Sequence, residues 1–147
     1  MSDIQKKKII FCGAKTYPAG IGGIETHLFY LVPEIAKAGF DAHVITGKEE
    51  RGQPDYEMVN GVHMHRVFSL KVPVLRKLSM SLGIHEIVEK INPDIIHAHD
   101  TVTSYAAVKH FGNRCRVVCT AHGVNHLRPD WKFPVKNYLK VMEHQIY

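Results

Sequence analysis

Pro18-Ala-Gly-Ile-Gly-Gly-Ile-Glu25 separates an apolar, strand-like run, Lys8-Ile-Ile-Phe-Cys-Gly13, from a stretch of helical periodicity. In the second stretch Leu28, Leu31, Val32, Ile35 and Ala36 fall on one face, and Gly39 stands where a helix C-cap favours glycine. Strand, glycine-rich loop and amphipathic helix in that order make the opening unit of an α/β fold. The glycines remove side chains that would hold a ligand off the backbone. Amides left free at a helix N-terminus, together with its dipole, favour an anion such as a phosphate. Turn closure alone is the competing reason for glycines here. Gly20-Ile-Gly-Gly-Ile-Glu25 comes close to a dinucleotide fingerprint, but Glu25 stands where tight helix–strand packing needs Gly or Ala. The loop also begins several residues after the strand ends, so a dehydrogenase reading is disfavoured.

Outward from this unit, strand-like and helix-like segments alternate. Asp41-Ala-His-Val-Ile-Thr46 reads as a strand and residues 47–55 as a loop. Tyr56–Asn60 and Val62–Val67 read as a hairpin turning at Asn60-Gly61. A helical pattern from about Val74 to Ile91 ends at Asn92-Pro93-Asp94, which launches the strand Ile95–His99. A short helix over Thr103–Phe111, a strand over Arg116–Ala121 and a helical tail from Val135 to Tyr147 follow. Runs this apolar predict a mainly parallel sheet covered by helices on both faces. Ligands of such sheets sit outside the carboxyl ends of the strands. That rule selects residues 20–23, 97–101 and 122–125.

The 147 residues suit one domain, with 45% hydrophobic and 22% charged residues. No apolar run is long enough for a bilayer span, and the polar, basic opening is unlike a signal peptide, so a cytoplasmic location is expected. Three cysteines without a C-x-x-C read as buried free thiols. The net charge of +5 favours anionic partners. Nucleic acid is not expected, because the basic residues are scattered and no nucleic-acid motif accompanies them.

Eleven histidines invite over-reading. His63 and His65 alternate with Met64, which puts them on a solvated outer face; His43 and His27 read as structural. His97 and His99 share a strand face, but a third metal ligand at suitable spacing is missing, so no metal is expected there. His99 and Asp100 lie toward the rim, in reach of a ligand. His122 follows a strand directly and precedes Gly123, which leaves room for a ligand that the imidazole could bond. The basic–apolar stretch Lys71–Met80, with Lys71, Arg76 and Lys77, suits either a half-buried helix or contact with an anionic membrane or acceptor. Trp131–Lys140 repeats the flavour.

With the glycine loop, Asp94-Ile-Ile-His-Ala-His-Asp100 and Thr120-Ala-His-Gly123 in this order, the chain resembles the N-terminal Rossmann-like domain of the retaining GT-B glycosyltransferases, family 4. The resemblance runs from Lys7 to about Tyr147 and implies one half of a GT-B architecture, a Rossmann-like three-layer sandwich over residues 1–147. It implies transfer of a sugar, of the hexosyl type, from a nucleotide-diphosphate sugar with retention of configuration, in cell-envelope or polysaccharide synthesis. Gly22 and Gly23 would approach the donor diphosphate, and His122 would serve catalysis at the sugar. His99, Asp100, Thr101 and Gly123 would line the site of a saccharide, lipid or small-molecule acceptor. No cofactor or metal is expected. Glu25 matches an acidic residue that often follows the glycine pair. The family's Glu-x7-Glu donor domain has no counterpart here, since Glu49 and Glu57 flank loop residues. The expectation is therefore a truncated or split enzyme, inactive alone and completed by a C-terminal donor domain in cis or trans. The alternative is a non-catalytic subunit that binds acceptor or recruits the assembly to the inner face of the membrane.

Overall fold

The computed structural model describes residues 6–18 and 20–147, with residues 73, 74, 77 and 78 described by backbone alone. Ala19 and the Lys77 side chain, a candidate membrane contact, lie outside the described residues. The apolar runs form strands β1 (Lys8–Cys12), β2 (Asp41–Gly47), β3 (Tyr56–Val59), β4 (Val62–Val67), β5 (Ile95–Ala98) and β6 (Arg116–Cys119). The periodic stretches form helices α1 (Gly23–Lys37), α2 (Pro73–Ile91), α3 (Thr101–Phe111) and α4 (Val135–Ile146), with a 3-10 turn at Asn125–Leu127. The strands make one sheet in the order β3-β4-β2-β1-β5-β6, parallel except for the β3–β4 hairpin. Asn60 and Gly61 both take positive φ, as a two-residue turn matched to strand twist requires.

Alternation along the strands divides the core into two layers. Ile9, Phe11, Ala42, Val44, Val62 and Met64 meet Leu28 and Val32 of α1 on one face. Ile10, Cys12, Ile45, Val67, Ile96 and Ala98 meet Met80, Ile84 and Val88 of α2 and Ala107 and Phe111 of α3 on the other. Each buried Val, Leu, Ile, Phe or Met among them contributes about 1.5–3 kcal/mol by leaving water, the alanines less. The Rossmann-like α/β sandwich follows from this double covering. Helix α4 packs beside α3.

Helices on both faces overturn one expectation. His63 and His65 are half-buried and do not face solvent as an outer hairpin strand would, because β4 pairs in parallel with β2 inside the sheet. His43 of β2 is buried and stacks against both rings. Cys12 is buried, whereas Cys115 and Cys119 are half-buried; all three are free. Among the described residues, no helix is long and apolar enough to cross a membrane.

Candidate functional site at the carboxyl ends of the strands

The connection after β1 leads through α1 to β2 on one side, while its other neighbour, β5, is reached much later from β4. The chain therefore diverges between β1 and β5, the switch point where open α/β sheets bind ligands. The glycine loop leaves β1 at this point, and the residues after β5 face it. The His99 amide donates to the Cys12 carbonyl at 2.9 Å, and a Cβ on Gly13 would lie 2.8 Å from Asp100 Oδ2.

Gly22 precedes α1 with φ 156° and ψ 159°, a conformation that side chains resist, and supplies no side-chain cap. The first-turn amides are thus left without a capping side chain. Glu25, 8% exposed, folds back under the loop, where its Oε1 accepts from the Lys15 amide at 2.9 Å. A Cβ on Gly22 would overlap Glu25 Oε2, whereas one on Gly23 would meet nothing within 4 Å. Gly22 is needed by the fold; Gly23 borders open space.

Beside the loop four imidazoles converge. His97 and His99 stand 4.1 Å apart between ring centroids, and His99 lies 5.4 Å from His122. His27, in the second turn of α1, is 5.4 Å from His99 and 5.3 Å from His122. His99 Nδ1 and His122 Nε2 share a hydrogen bond of 3.1 Å, and His97 Nε2 shares one of 2.7 Å with Thr120 Oγ1. His99 is 1% exposed and its Nε2 is buried without a partner. Burial first, and then the neighbouring imidazoles, push His99 down to about 3 and His97 down to about 4. Burial and His27 also lower exposed His122, against an opposing pull from Glu25. These three rings are neutral at neutral pH, so each presents one N–H donor and one acceptor.

The other expected residues have internal partners. Asp100 caps α3, accepting from the amides of Val102 at 3.0 Å and Thr103 at 3.3 Å and from the Thr103 hydroxyl. Thr101 is buried; its hydroxyl accepts from Asn125 Nδ2 at 2.6 Å and donates to Glu143 Oε1 at 3.1 Å. Glu143 also accepts from the Asn125 amide at 2.8 Å and pairs with His126. Burial raises the Glu143 pKa, but bonds from His126, Asn125 and Thr101 outweigh it and hold the group ionised. Gly123 is exposed with φ 142° and open space around it. Lys71 is exposed, while Arg76 is half-buried and bonds Glu49 at 2.5 Å.

Two members of this arrangement were not among the expected site residues: His27 read as structural, and Glu143 was not singled out. His27 had a usable signal, since it stands one helical turn beyond Gly23 and shares its face. Glu143 had none: it meets Thr101 across 42 residues through the docking of α4 on α3.

A mainly parallel sheet with a glycine loop and a polar cluster at its switch point defines a Rossmann-like α/β domain. The chain belongs to Glycosyltransferase Family 4, whose sequence profile matches residues 21–145. Sucrose-phosphate synthase from Thermosynechococcus elongatus shares the fold with a TM-score of 0.77 at 14% identity, over 96% of this chain and 40% of that one. The catalytic domain of starch synthase IV from Arabidopsis thaliana, bound to ADP and acarbose, matches with a TM-score of 0.65 at 16% identity, over 82% of this chain and 34% of that one. At such identities the likeness speaks for the fold. The chain spans well under half the length of these two relatives. No curated protein matches it in sequence.

Proposed function

We propose that this chain forms the acceptor-side wall of a retaining glycosyltransferase that uses a nucleotide-diphosphate sugar. The observation that carries the reading is the uncapped α1 N-terminus, opened to ligand at Gly23 and set beside the His27–His99–His122 cluster. Family membership supports sugar transfer. In this reading the amides at Gly22 and Gly23 face the donor diphosphate, and a second domain, in cis or trans, holds the rest of the nucleotide. The sugar–phosphate bond breaks with its electron pair going to the diphosphate, whose growing charge those amides stabilise. The acceptor hydroxyl oxygen bonds the anomeric carbon from the same face, and its proton passes to the departing phosphate oxygen. His122 bonds the sugar, and His99 sets the orientation of its ring. Asp100, Thr101 and Gly123 shape the acceptor's floor through α3 and the loop after β6. No metal is required by this chemistry, and this wall alone transfers no sugar.

A second reading, recruitment to a membrane at the cytoplasmic face, draws on one observation. Phe68, Val72 and Leu75 are exposed around exposed Lys71. The Glu49 partner of Arg76 reduces the charge available there.

Ligand-detected NMR with UDP, GDP and their sugar conjugates tests the primary reading. The wild-type chain is expected to bind weakly, Gly23→Val to lose binding while staying folded, and His122→Ala to lose preference for the sugar conjugate over the bare nucleotide. Binding that is absent from the folded wild-type chain, or indifferent to Gly23→Val, would overturn it.

A further inference from the structure

At the opposite, amino-terminal end of the sheet, a second group of histidines forms a site the transfer chemistry does not use. Asp41 and His43 are two apart on β2 and so point to one face, and His43 stands in register with His63 of β4. One ligand atom from each of the three lies within 4.8 Å of the others, the only such group of donors among the described residues. His63 Nε2 is 3.1 Å from Asp41 Oδ1, and His43 Nε2 is 3.4 Å from Asp41 Oδ2. Donors held at about 2.0–2.1 Å around a tetrahedral zinc ion are themselves about 3.3 Å apart.

We propose that Asp41, His43 and His63 bind a divalent zinc ion. The hydrogen-bonding pattern points to a cation. His43 is 7% exposed, and its Nε2 has no hydrogen-bond partner despite the nearby carboxylate. Without an ion the carboxylate sits closer to His63, and His43 Nε2, 3.4 Å from Asp41 Oδ2 but out of line for a hydrogen bond, stays orphaned at a cost of about 1–3 kcal/mol. With zinc, both Nε2 atoms give a lone pair to the metal and both Nδ1 atoms carry the proton. Each Nδ1 already has an acceptor: His43 Nδ1 lies 3.1 Å from His65 Nε2, and His63 Nδ1 lies 2.8 Å from Tyr56 Oη. Such outer partners fix the tautomer of metal-binding histidines. Two imidazoles and a carboxylate suit zinc better than calcium or magnesium. Asp41 and His63 are half-buried, so water can complete the shell.

The test is titration of metal-stripped protein with zinc by calorimetry, and with cobalt(II) by visible absorption. One ion per chain, a tetrahedral cobalt spectrum displaced by zinc, and a rise in melting temperature with zinc are expected. Asp41→Asn and His63→Ala should abolish all three. Tyr56→Phe, which removes one hydroxyl from an exposed side chain, should weaken binding by about 10–100-fold. His122→Ala, in the other histidine cluster, should still bind one ion. No stoichiometric binding, or binding that survives Asp41→Asn and His63→Ala, would overturn the proposal.

Discussion

Gly22 and Gly23 are neighbours that do different work. The backbone at Gly22 is one that side chains resist, and Glu25 fills the place a Cβ would take. Gly22→Ala is therefore expected to destabilise the chain by about 1–3 kcal/mol. At Gly23 nothing stands in the way, and alanine is the better helix former, so Gly23→Ala should match or slightly exceed wild type. Urea unfolding of both variants checks the contrast; equal losses would contradict it. That the loop before the helix is built on glycine was legible from residue type alone, but the different demands at Gly22 and Gly23 were not. Nor was the inward turn of Glu25, because the Lys15 amide that holds it is placed by the loop as a whole.

The long helix α2 shows how an element meets its sheet. A Cβ on Gly83 would come 2.6 Å from Cβ of Val67, so the helix approaches β4 at its glycine. Propensity alone predicts that Gly83→Ala gains about 1 kcal/mol. Packing predicts the opposite, and overpacking of about 1–3 kcal/mol should prevail. Thermal melts decide it: a stabilised variant would mean that α2 shifts freely on the sheet. Element limits were largely readable, since periodicity places α2 and the Asn60-Gly61 turn places the hairpin. Helix α3 begins at Thr101, two residues before its apolar pattern, because Asp100 caps it. The partner of β4 was hidden, because a hairpin's own sequence does not state what lies on its far side. His63 and His65 consequently looked solvated.

For the molecule as a whole, the imidazole cluster couples stability to pH. In the folded chain His99 and His97 stay neutral down to about 3 and about 4, whereas in the unfolded chain they protonate near 6.5. The unfolded state then binds more protons between those values, so stability is lost as pH falls from about 6.5 toward 4. One fully displaced proton is worth about 1.4 kcal/mol per pH unit. Urea midpoints should fall between pH 7 and pH 5, and less steeply in His99→Phe, where the new ring can stack on Phe11 as the imidazole does. An unchanged slope would remove His99 from this linkage. The sequence by itself determined the α/β alternation, the glycine loop and the three segments at the carboxyl ends, because periodicity, turn chemistry and glycine are local properties of the chain. Only the tertiary structure decided which polar groups meet: His27 with His122, Thr101 with Glu143, and Asp41 and His43 with His63. Those meetings depend on strand order and on helix docking across tens of residues, and neither is written in any one segment.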